Sequence, residues 1–217
     1  MEILRIENLS VSYDGKVILS DFSLVVRKGD KILIKGRSGI GKSTLFKLIL
    51  GFSVQDFGNI CFEGAPVDRS SVWQLRKRIA YVSQDTDVAE GRVSELIDGF
   101  FSFRANKDAI DRDKISEYLS MLSLPQKILD KQYMRLSGGE KQRITLLMAL
   151  LSGKDIFLLD EVSAELDSEL KQRVSDLFFD NPQWTVLAIS HDKVWEYTDP
   201  VGPGAGSARS NIRIIDL

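Results

Sequence analysis

The sequence predicts an α/β fold built on a buried parallel sheet. Four short runs, at residues 31–36, 79–84, 156–161 and 185–191, are almost continuously apolar or β-branched. This composition is typical of strands that are covered on both faces, as in a parallel sheet. A helical pattern follows the first run, and mostly helical patterns from about 88 to 152 separate two of the others.

The first 30 residues differ from this pattern and predict an antiparallel hairpin. The runs "LRIENLSVSY" and "VILSDFSLVV" alternate partly between apolar and polar residues, and the turn-forming "DGK" joins them. We therefore expect a small β layer beside the parallel sheet. Tyr13, next to the turn, could stack on an adenine ring, although tyrosine in hairpins is more often a packing residue.

Each of the four core runs ends in a residue that can contact a ligand. These residues are Gly36, Gln84, Glu161 and His191. Ligands of open α/β sheets bind at the carboxyl ends of the strands. The sequence therefore predicts a binding site at one edge of the sheet.

The segment "GRSGIGKST", residues 36–44, matches the phosphate-loop pattern G-x-x-x-x-G-K-[ST] between a predicted strand and a predicted helix. Glycines let successive N–H groups point at phosphate oxygens, and the helix presents its positive end. Lys42 is expected to reach the β- and γ-phosphates, and Ser43 to bind Mg²⁺. The expected nucleotide contacts are Arg37, Ser38, Gly39, Ile40, Gly41, Lys42, Ser43 and Thr44. A P-loop NTPase core with a RecA-like parallel sheet is the predicted fold.

Two adjacent carboxylates, Asp160 and Glu161, end the third core run. Side by side they would repel each other and lose hydration, unless a cation and an attacking water use them. Asp160 is expected to bind Mg²⁺, and Glu161 to polarise the water that attacks the γ-phosphate. The alternative is a strand that runs into an acidic, solvated loop.

Gln84 and His191 complete the predicted site. The neutral amide of Gln84 can contact Mg²⁺ or the water without adding charge, although a polar residue that caps a strand is the simpler explanation. His191, the only histidine of the chain, can hydrogen-bond the γ-phosphate or orient the water. A lone histidine is usually structural, and only its position at a strand end favours the functional interpretation.

The segment "RLSGGEKQR", residues 135–143, predicts a helix start with a capping box between Ser137 and Glu140. Gly138 and Gly139 in its first turn each cost about 1 kcal/mol against alanine in a helix interior. A helix N-terminus without side chains is a surface for an anion. We therefore expect Ser137, Gly138 and Gly139 to bind the γ-phosphate of ATP held by a second, symmetry-related copy. A capping box with incidental glycines is the alternative.

The domain prediction is one unit over residues 1–217. Residues 1–87 and 153–217 form the nucleotide-binding core with its β layer, and residues 88–152 form a helical subdomain. The low-complexity stretch 199–210, "DPVGPGAGSARS", predicts a loop.

Composition limits the functional class. The net charge is −2 and the pI is about 5.6, which argues against a nucleic-acid binder that works through bulk charge. Cys61 is the single cysteine, so a reduced, cytosolic setting is expected. The N-terminal residues are acidic in part and lack a long apolar stretch, so a signal peptide is not expected. No run approaches the roughly 18 apolar residues of a membrane span, so any membrane contact is expected to go through a partner.

With these motifs in order, the sequence resembles the nucleotide-binding subunit of an ABC transporter. The family's landmarks are matched by Tyr13, the Walker A loop 36–44, Gln84 of the Q-loop, the signature "LSGGEKQR" at 136–143, Walker B at 156–161, the D-loop 164–167 and the switch histidine His191. The stretch 122–147 is similar to small ATPases proposed for iron export or aluminium resistance. The likeness covers residues 2 to about 199.

The resemblance implies ATP hydrolysis in a head-to-tail homodimer around two ATP–Mg²⁺. It also implies that the resulting conformational change is transmitted to a separate transmembrane permease. The chain would then be cytoplasmic and peripheral on the inner membrane face, held there by the permease. By the same likeness, Tyr13 stacks on adenine, Gln84 couples Mg²⁺ to the helical subdomain, and Asp167 communicates between the two sites. The pair Phe100–Phe101 with Phe103 lies where the family docks the permease, although core packing explains these residues as well.

The sequence departs from the family at two places. Val162 and Ser163 replace the usual proline and threonine after the Walker B acid, and Ala164 replaces the usual D-loop serine. These changes concern coupling between the two sites rather than ATP binding. Residues 200–210 also intervene where the family runs straight into a strand.

Two other classes compete with a transporter subunit. A non-transport ABC ATPase, for DNA repair, chromosome organisation or translation, typically carries a coiled-coil insertion, a zinc module or two ATPase halves, and the sequence has none of these. An unrelated P-loop kinase or GTPase predicts neither "LSGGE" nor the switch histidine. The expectation is thus a transporter ATPase that binds ATP and Mg²⁺ and has no nucleic-acid partner.

Overall fold

Nine strands and six α-helices are described in the computed structural model, which covers residues 1–86, 90–103, 113–196 and 212–217. The strands are β1 (Glu2–Tyr13), β2 (Lys16–Arg27), β3 (Lys31–Lys35), β4 (Phe57–Phe62), β5 (Ala65–Pro66), β6 (Ile79–Val82), β7 (Ile156–Asp160), β8 (Thr185–Ile189) and β9 (Ile212–Asp216). The helices are α1 (Lys42–Ile49), α2 (Val72–Arg78), α3 (Val93–Ser102), α4 (Lys114–Met121), α5 (Gly138–Leu151) and α6 (Ser168–Phe179). Short 3₁₀ turns lie at Gln126–Asp130, Tyr133–Arg135 and Lys193–Trp195.

Five parallel strands form the central sheet, in the order β6-β7-β8-β3-β9. Alternate residues of each strand enter two different cores. In β3, Ile32 and Ile34 pack with α1 and the N-terminal layer, whereas Leu33 packs with α3, α5 and α6. Burial on both faces explains the uninterrupted apolar runs, and the predicted α/β P-loop NTPase fold is confirmed.

A second, antiparallel sheet has the strand order β2-β1-β4-β5. The hairpin between β1 and β2 turns at Asp14 and Gly15, with φ of 49° and 76°, as a two-residue turn with positive φ at both positions requires. This hairpin was predicted, but β4 and β5 were not. Gly58 and Asn59 lie within β4, and both residue types are depleted in strands, so the sequence signal for β4 is weak.

The region predicted as a helical subdomain contains α3, α4 and α5 in its described part. Residues 88, 89 and 104–112 of this region lie outside the described residues, as does the low-complexity stretch 199–210. The predicted boundaries at 88 and 152 stay a prediction.

All six described helices are short, from 7 residues in α2 to 14 residues in α5. A helix that crosses a bilayer needs about 20 predominantly apolar residues. Within the ranges given above, no helix has the length and hydropathy of a membrane span.

Candidate functional site

The carboxyl ends of β3, β6, β7 and β8 surround one cavity of about 420 Å³. This volume lies within the roughly 300–1,000 Å³ that is usual for small-molecule sites. The cavity is lined by Ile18, Ser38, Gly39, Gly41, Lys42, Ser43, Thr44, Gln84, Glu161, Ala164, Ile189 and His191. The predicted phosphate loop thus meets the residues that follow the other three strands.

The phosphate loop needs glycine where it enters α1. Gly41 has a φ of 113°, in the left-handed region that side chains disfavour. A Cβ at this position would also lie 2.4 Å from Cγ2 of Ile18 on β2. Only glycine at position 41 therefore allows the backbone to come this close to Ile18. The first turn of α1, from Lys42 to Thr44, faces the cavity.

Lys42 places its ammonium group inside the curl of this loop. The residue is 7% exposed, and Nζ donates to the carbonyls of Gly36 at 2.8 Å and Arg37 at 3.2 Å. Nζ also lies 3.2 Å from Nε2 of His191. One cation is thus held between the loop carbonyls and the end of β8.

Asp160, the last residue of β7, is 2% exposed. Its Oδ2 accepts a hydrogen bond from the Tyr81 hydroxyl at 3.3 Å, whereas Oδ1 has no partner in the described part of the chain. Burial raises the pKa of Asp160, and the hydroxyls of Ser43 and Tyr81 and the Lys42 cation offset part of this effect. A buried carboxylate oxygen without a partner favours a cation. Asp160 and Ser43 therefore fit a Mg²⁺ site.

Glu161 and His191 lie side by side at the cavity. Oε1 of Glu161 is 3.4 Å from Nε2 of His191. Burial raises the pKa of Glu161, and the nearby His191 and Lys42 offset part of the effect. The Glu161 backbone has a φ of 50°, a strained conformation for a residue with a side chain that costs roughly 1–3 kcal/mol and clusters at functional sites.

The remaining predicted contacts differ in their position. Gln84 is exposed and lines the cavity. The loop residues Arg37 and Ile40 do not line it, and neither does Tyr13, which is 43% exposed at the end of β1. Ile18 lines the cavity instead and was missed by the sequence analysis, because no motif marks an apolar residue in a hairpin.

The signature segment starts α5 with the predicted capping box. The Ser137 side chain accepts from the backbone N–H of Glu140 at 3.2 Å, and the Ser137 N–H donates to the Glu140 carboxylate at 3.0 Å. Ser137 and Gly138 are exposed, and neither lines the cavity of their own chain.

Packing within the chain gives a structural reason for glycine at position 139. A Cβ on Gly139 would lie 2.8 Å from the backbone carbonyl oxygen of Glu165, which cannot move aside easily. A Cβ on Gly138 would meet only the carboxylate end of Glu165, at 3.0 Å. Glycine at 139 thus lets the signature helix pack on the loop before α6, a reason that the sequence analysis did not supply.

Comparison with known proteins identifies the family. The family model described as ABC transporter matches residues 19–164. The ergothioneine transport ATP-binding protein EgtV of Helicobacter pylori is 30% identical over 198 residues, which cover 88% of this chain and 91% of the relative. The probable iron export ATP-binding protein FetA of Escherichia coli is 30% identical over 194 residues, which cover 88% and 85%.

A solved structure agrees with these relatives. The cbiO1 protein of Clostridium perfringens, described as part of the ABC transporter complex cbiONQ, is 28% identical, with a TM-score of 0.71 over 88% of this chain and 79% of that chain. The family model spans more than half of this sequence, and it includes the phosphate loop, the signature segment and Asp160–Glu161. The chain therefore belongs to the ABC transporter family, as one of its ATP-binding proteins.

Proposed function

We propose that this chain binds ATP with Mg²⁺ in the cavity of about 420 Å³ and hydrolyses it to drive a transporter. The observation that carries the proposal is the convergence of Lys42, Asp160, Glu161 and His191 at one edge of the sheet. One cation, one buried carboxylate and one carboxylate of raised pKa are the groups that phosphoryl transfer to water requires.

The triphosphate is assigned to the phosphate loop. Backbone N–H groups of residues 38–44 and the Lys42 ammonium surround its β- and γ-phosphates, at the N-terminus of α1. Ser43, Asp160 and Gln84 would hold Mg²⁺, which supplies positive charge against the phosphate oxygens when bound. The fit of Asp160 to this role is supported by its buried Oδ1, which has no hydrogen-bond partner among the described residues.

Glu161 is assigned as the general base for hydrolysis. A water attacks the γ-phosphorus, the bond from that phosphorus to the bridging oxygen breaks, and the water proton passes to the Glu161 carboxylate, leaving ADP and phosphate. Burial supports this role, because it raises the pKa of Glu161 and makes the carboxylate a better proton acceptor. His191, 3.4 Å from Glu161, would orient the water or the γ-phosphate.

A second copy of the chain is proposed to close the site. Ser137 and Gly138 are exposed at the start of α5 and do not reach the cavity of their own chain. A head-to-tail dimer would bring them to the γ-phosphate of the facing copy, where the helix N-terminus binds an anion. Two such sites form at once, so ATP holds the dimer together.

A permease is proposed to dock beside Gln84. A second cavity, of about 240 Å³, lies between β6, α3 and α5 and is lined by Tyr81, Ser83, Phe100 and Met148, among others. Phe103 nearby in the chain is 66% exposed, whereas Phe101 is buried. An apolar groove next to Gln84 can couple the nucleotide to a partner, and it would hold the chain at the cytoplasmic face of the membrane. The transport names of the similar proteins support this partner.

Loss of the Lys42 ammonium tests nucleotide binding. Lys42→Met is expected to weaken ATP binding about tenfold or more, because a hydrogen bond between charged groups contributes roughly 1.5–3 kcal/mol. Isothermal titration calorimetry with ATP measures this change. Lys47→Met is the matched control, since Lys47 is exposed on the same helix. Equal ATP affinity of the two variants would contradict the proposed site.

Tyr13 tests the position of the adenine. Tyr13→Ala is expected to weaken ATP binding about tenfold, because stacking of a base on an aromatic ring contributes roughly 1–3 kcal/mol. Tyr13→Phe keeps the ring and should bind ATP like the unmodified chain. If Tyr13→Ala binds as tightly as Tyr13→Phe, then adenine does not stack on this residue. The same titration measures both variants.

A further inference from the structure

We propose that Ser163 is a positioning residue, whose buried hydroxyl fixes His191 relative to Glu161. The role of Ser163 in catalysis rests on the proposed function, whereas the hydrogen bonds from which it is inferred do not involve a nucleotide. Ser163 is also a departure from the family pattern, which usually has threonine here.

The Ser163 hydroxyl joins two loops of the site. Ser163 lies two residues after Glu161 and is fully buried, with an exposure of 0%. It donates to Oδ2 of Asp192 at 2.6 Å and accepts from Nε1 of Trp195 at 3.1 Å. Asp192 directly follows His191. One hydroxyl therefore connects the turn after β7 with the turn after β8.

Asp192 is held from the other side as well. Nζ of Lys171, on α6, donates to Oδ1 of Asp192 at 2.8 Å, and the Asp192 N–H donates to Oγ of Ser190 at 3.1 Å. Burial alone would raise the pKa of Asp192, but the hydrogen bonds from Lys171 and Ser163 hold it below its usual range. The carboxylate is thus ionised, and each of its oxygens accepts a hydrogen bond. These two bonds fix the orientation of the Asp192 side chain.

Trp195 anchors this network in the core. Its exposure is 0%, and its ring packs edge-on against Phe179 of α6, with centroids 5.1 Å apart. The hydrogen bonds run from the Trp195 indole to Ser163, and from Ser163 and Lys171 to Asp192. A buried polar network in which each member has a partner is rigid.

His191 depends on this rigidity because its own side chain is 54% exposed. An exposed imidazole has little packing around it, so the backbone of its turn sets its distance to Glu161 and Lys42. Removal of the Ser163 hydroxyl leaves the buried Trp195 indole without its acceptor and Asp192 with one donor fewer. Because a buried donor without a partner is unfavourable, the turn should rearrange and displace the imidazole.

Nuclear magnetic resonance of the imidazole tests the inference directly, since His191 is the only histidine of the chain. In the untagged, nucleotide-free protein, Ser163→Ala should shift the His191 ring resonances, and Ser163→Thr, which restores a hydroxyl, should return them towards their original positions. Ser175→Ala is the matched control. Ser175 is equally buried and donates to the carbonyl of Val194, beside Trp195, at 3.0 Å. Unchanged resonances in Ser163→Ala, or an equal change in Ser175→Ala, would overturn the inference.

ATP turnover measures whether the hydrogen bonds of Ser163 and Asp192 contribute to catalysis. Ser163→Ala should lower kcat about tenfold with ATP affinity within about twofold, whereas lost folding would lower both. Lys171→Met removes the hydrogen bond that α6 donates to Asp192. This variant keeps the test available if Ser163→Ala does not fold. We expect its kcat to fall about threefold at unchanged ATP affinity. Full kcat in both variants would overturn the role in catalysis. An unmodified chain that does not turn over ATP would contradict the proposed function alone, because the imidazole shifts need no ATP.

Discussion

Glu161→Gln is expected to lower ATP turnover about 100-fold or more while ATP still binds, since a positioned general base contributes roughly 10²–10⁴ to the rate. The amide has the size of the carboxylate but cannot accept the proton of the attacking water at neutral pH. The phosphate loop and Lys42 are untouched, so binding persists. Because ATP is then retained at both sites, the dimer should accumulate.

Two measurements separate these effects. Phosphate release gives the turnover, and size-exclusion chromatography with saturating ATP and Mg²⁺ gives the dimer. Glu169→Gln is the control, because Glu169 is an exposed residue on α6 that pairs with Arg173. A Glu161→Gln chain that stays monomeric, or one that hydrolyses ATP at the original rate, would contradict the proposed mechanism.

The pH profile gives the same residue a second test. Burial raises the pKa of Glu161 above its ordinary value, and only the ionised carboxylate accepts a proton. The kcat of the unmodified chain should therefore fall as the pH drops through this raised pKa, and its acid limb should lie above the range of an exposed glutamate. The residual turnover of Glu161→Gln should lack that limb.

Most of the parallel core could be predicted because burial on both faces leaves a strong pattern. β3, β6, β7 and β8 lie within the four apolar runs, and α1 follows the phosphate loop. β4 could not be predicted in the same way. Its Asn59 pairs with Glu7 of β1, and Gly58 lies at a register shift of the same pairing, so contacts with β1 rather than strand preference hold both residues in place. Such long-range pairing leaves little local signal.

The candidate site likewise contains residues that could be predicted from the sequence and residues that could not. Lys42, Gln84, Glu161 and His191 follow strands, so their common edge could be predicted from topology. Ile18 could not, because its contact with Gly41 joins the antiparallel layer to the phosphate loop. The hydrogen bonds of Ser163 and the approach of Glu165 to the signature glycines also arise only when distant segments of the chain pack together.

The contact of Glu165 with the signature glycines decides at which of the two glycines a substitution can test the proposed dimer. At Gly139, any side chain would meet the Glu165 carbonyl at 2.8 Å, so a substitution there would disturb its own chain before any partner arrives. At Gly138, a side chain meets only the exposed, movable carboxylate of Glu165. An aspartate in the first turn of a helix is otherwise favourable, and the exposed Glu165 side chain can turn away from the added negative charge, so Gly138→Asp should fold.

Gly138→Asp is expected to reduce ATP turnover about 100-fold while single-chain ATP affinity stays within about twofold, since it places a negative charge where we propose that the facing γ-phosphate binds. In the Glu161→Gln background it should also prevent the ATP-dependent dimer. Gly138→Asn has nearly the same shape without the charge and should therefore retain more turnover than Gly138→Asp. If the aspartate variant dimerises and turns over like the asparagine variant, then no phosphate binds at the start of α5, and the site must be complete within one chain.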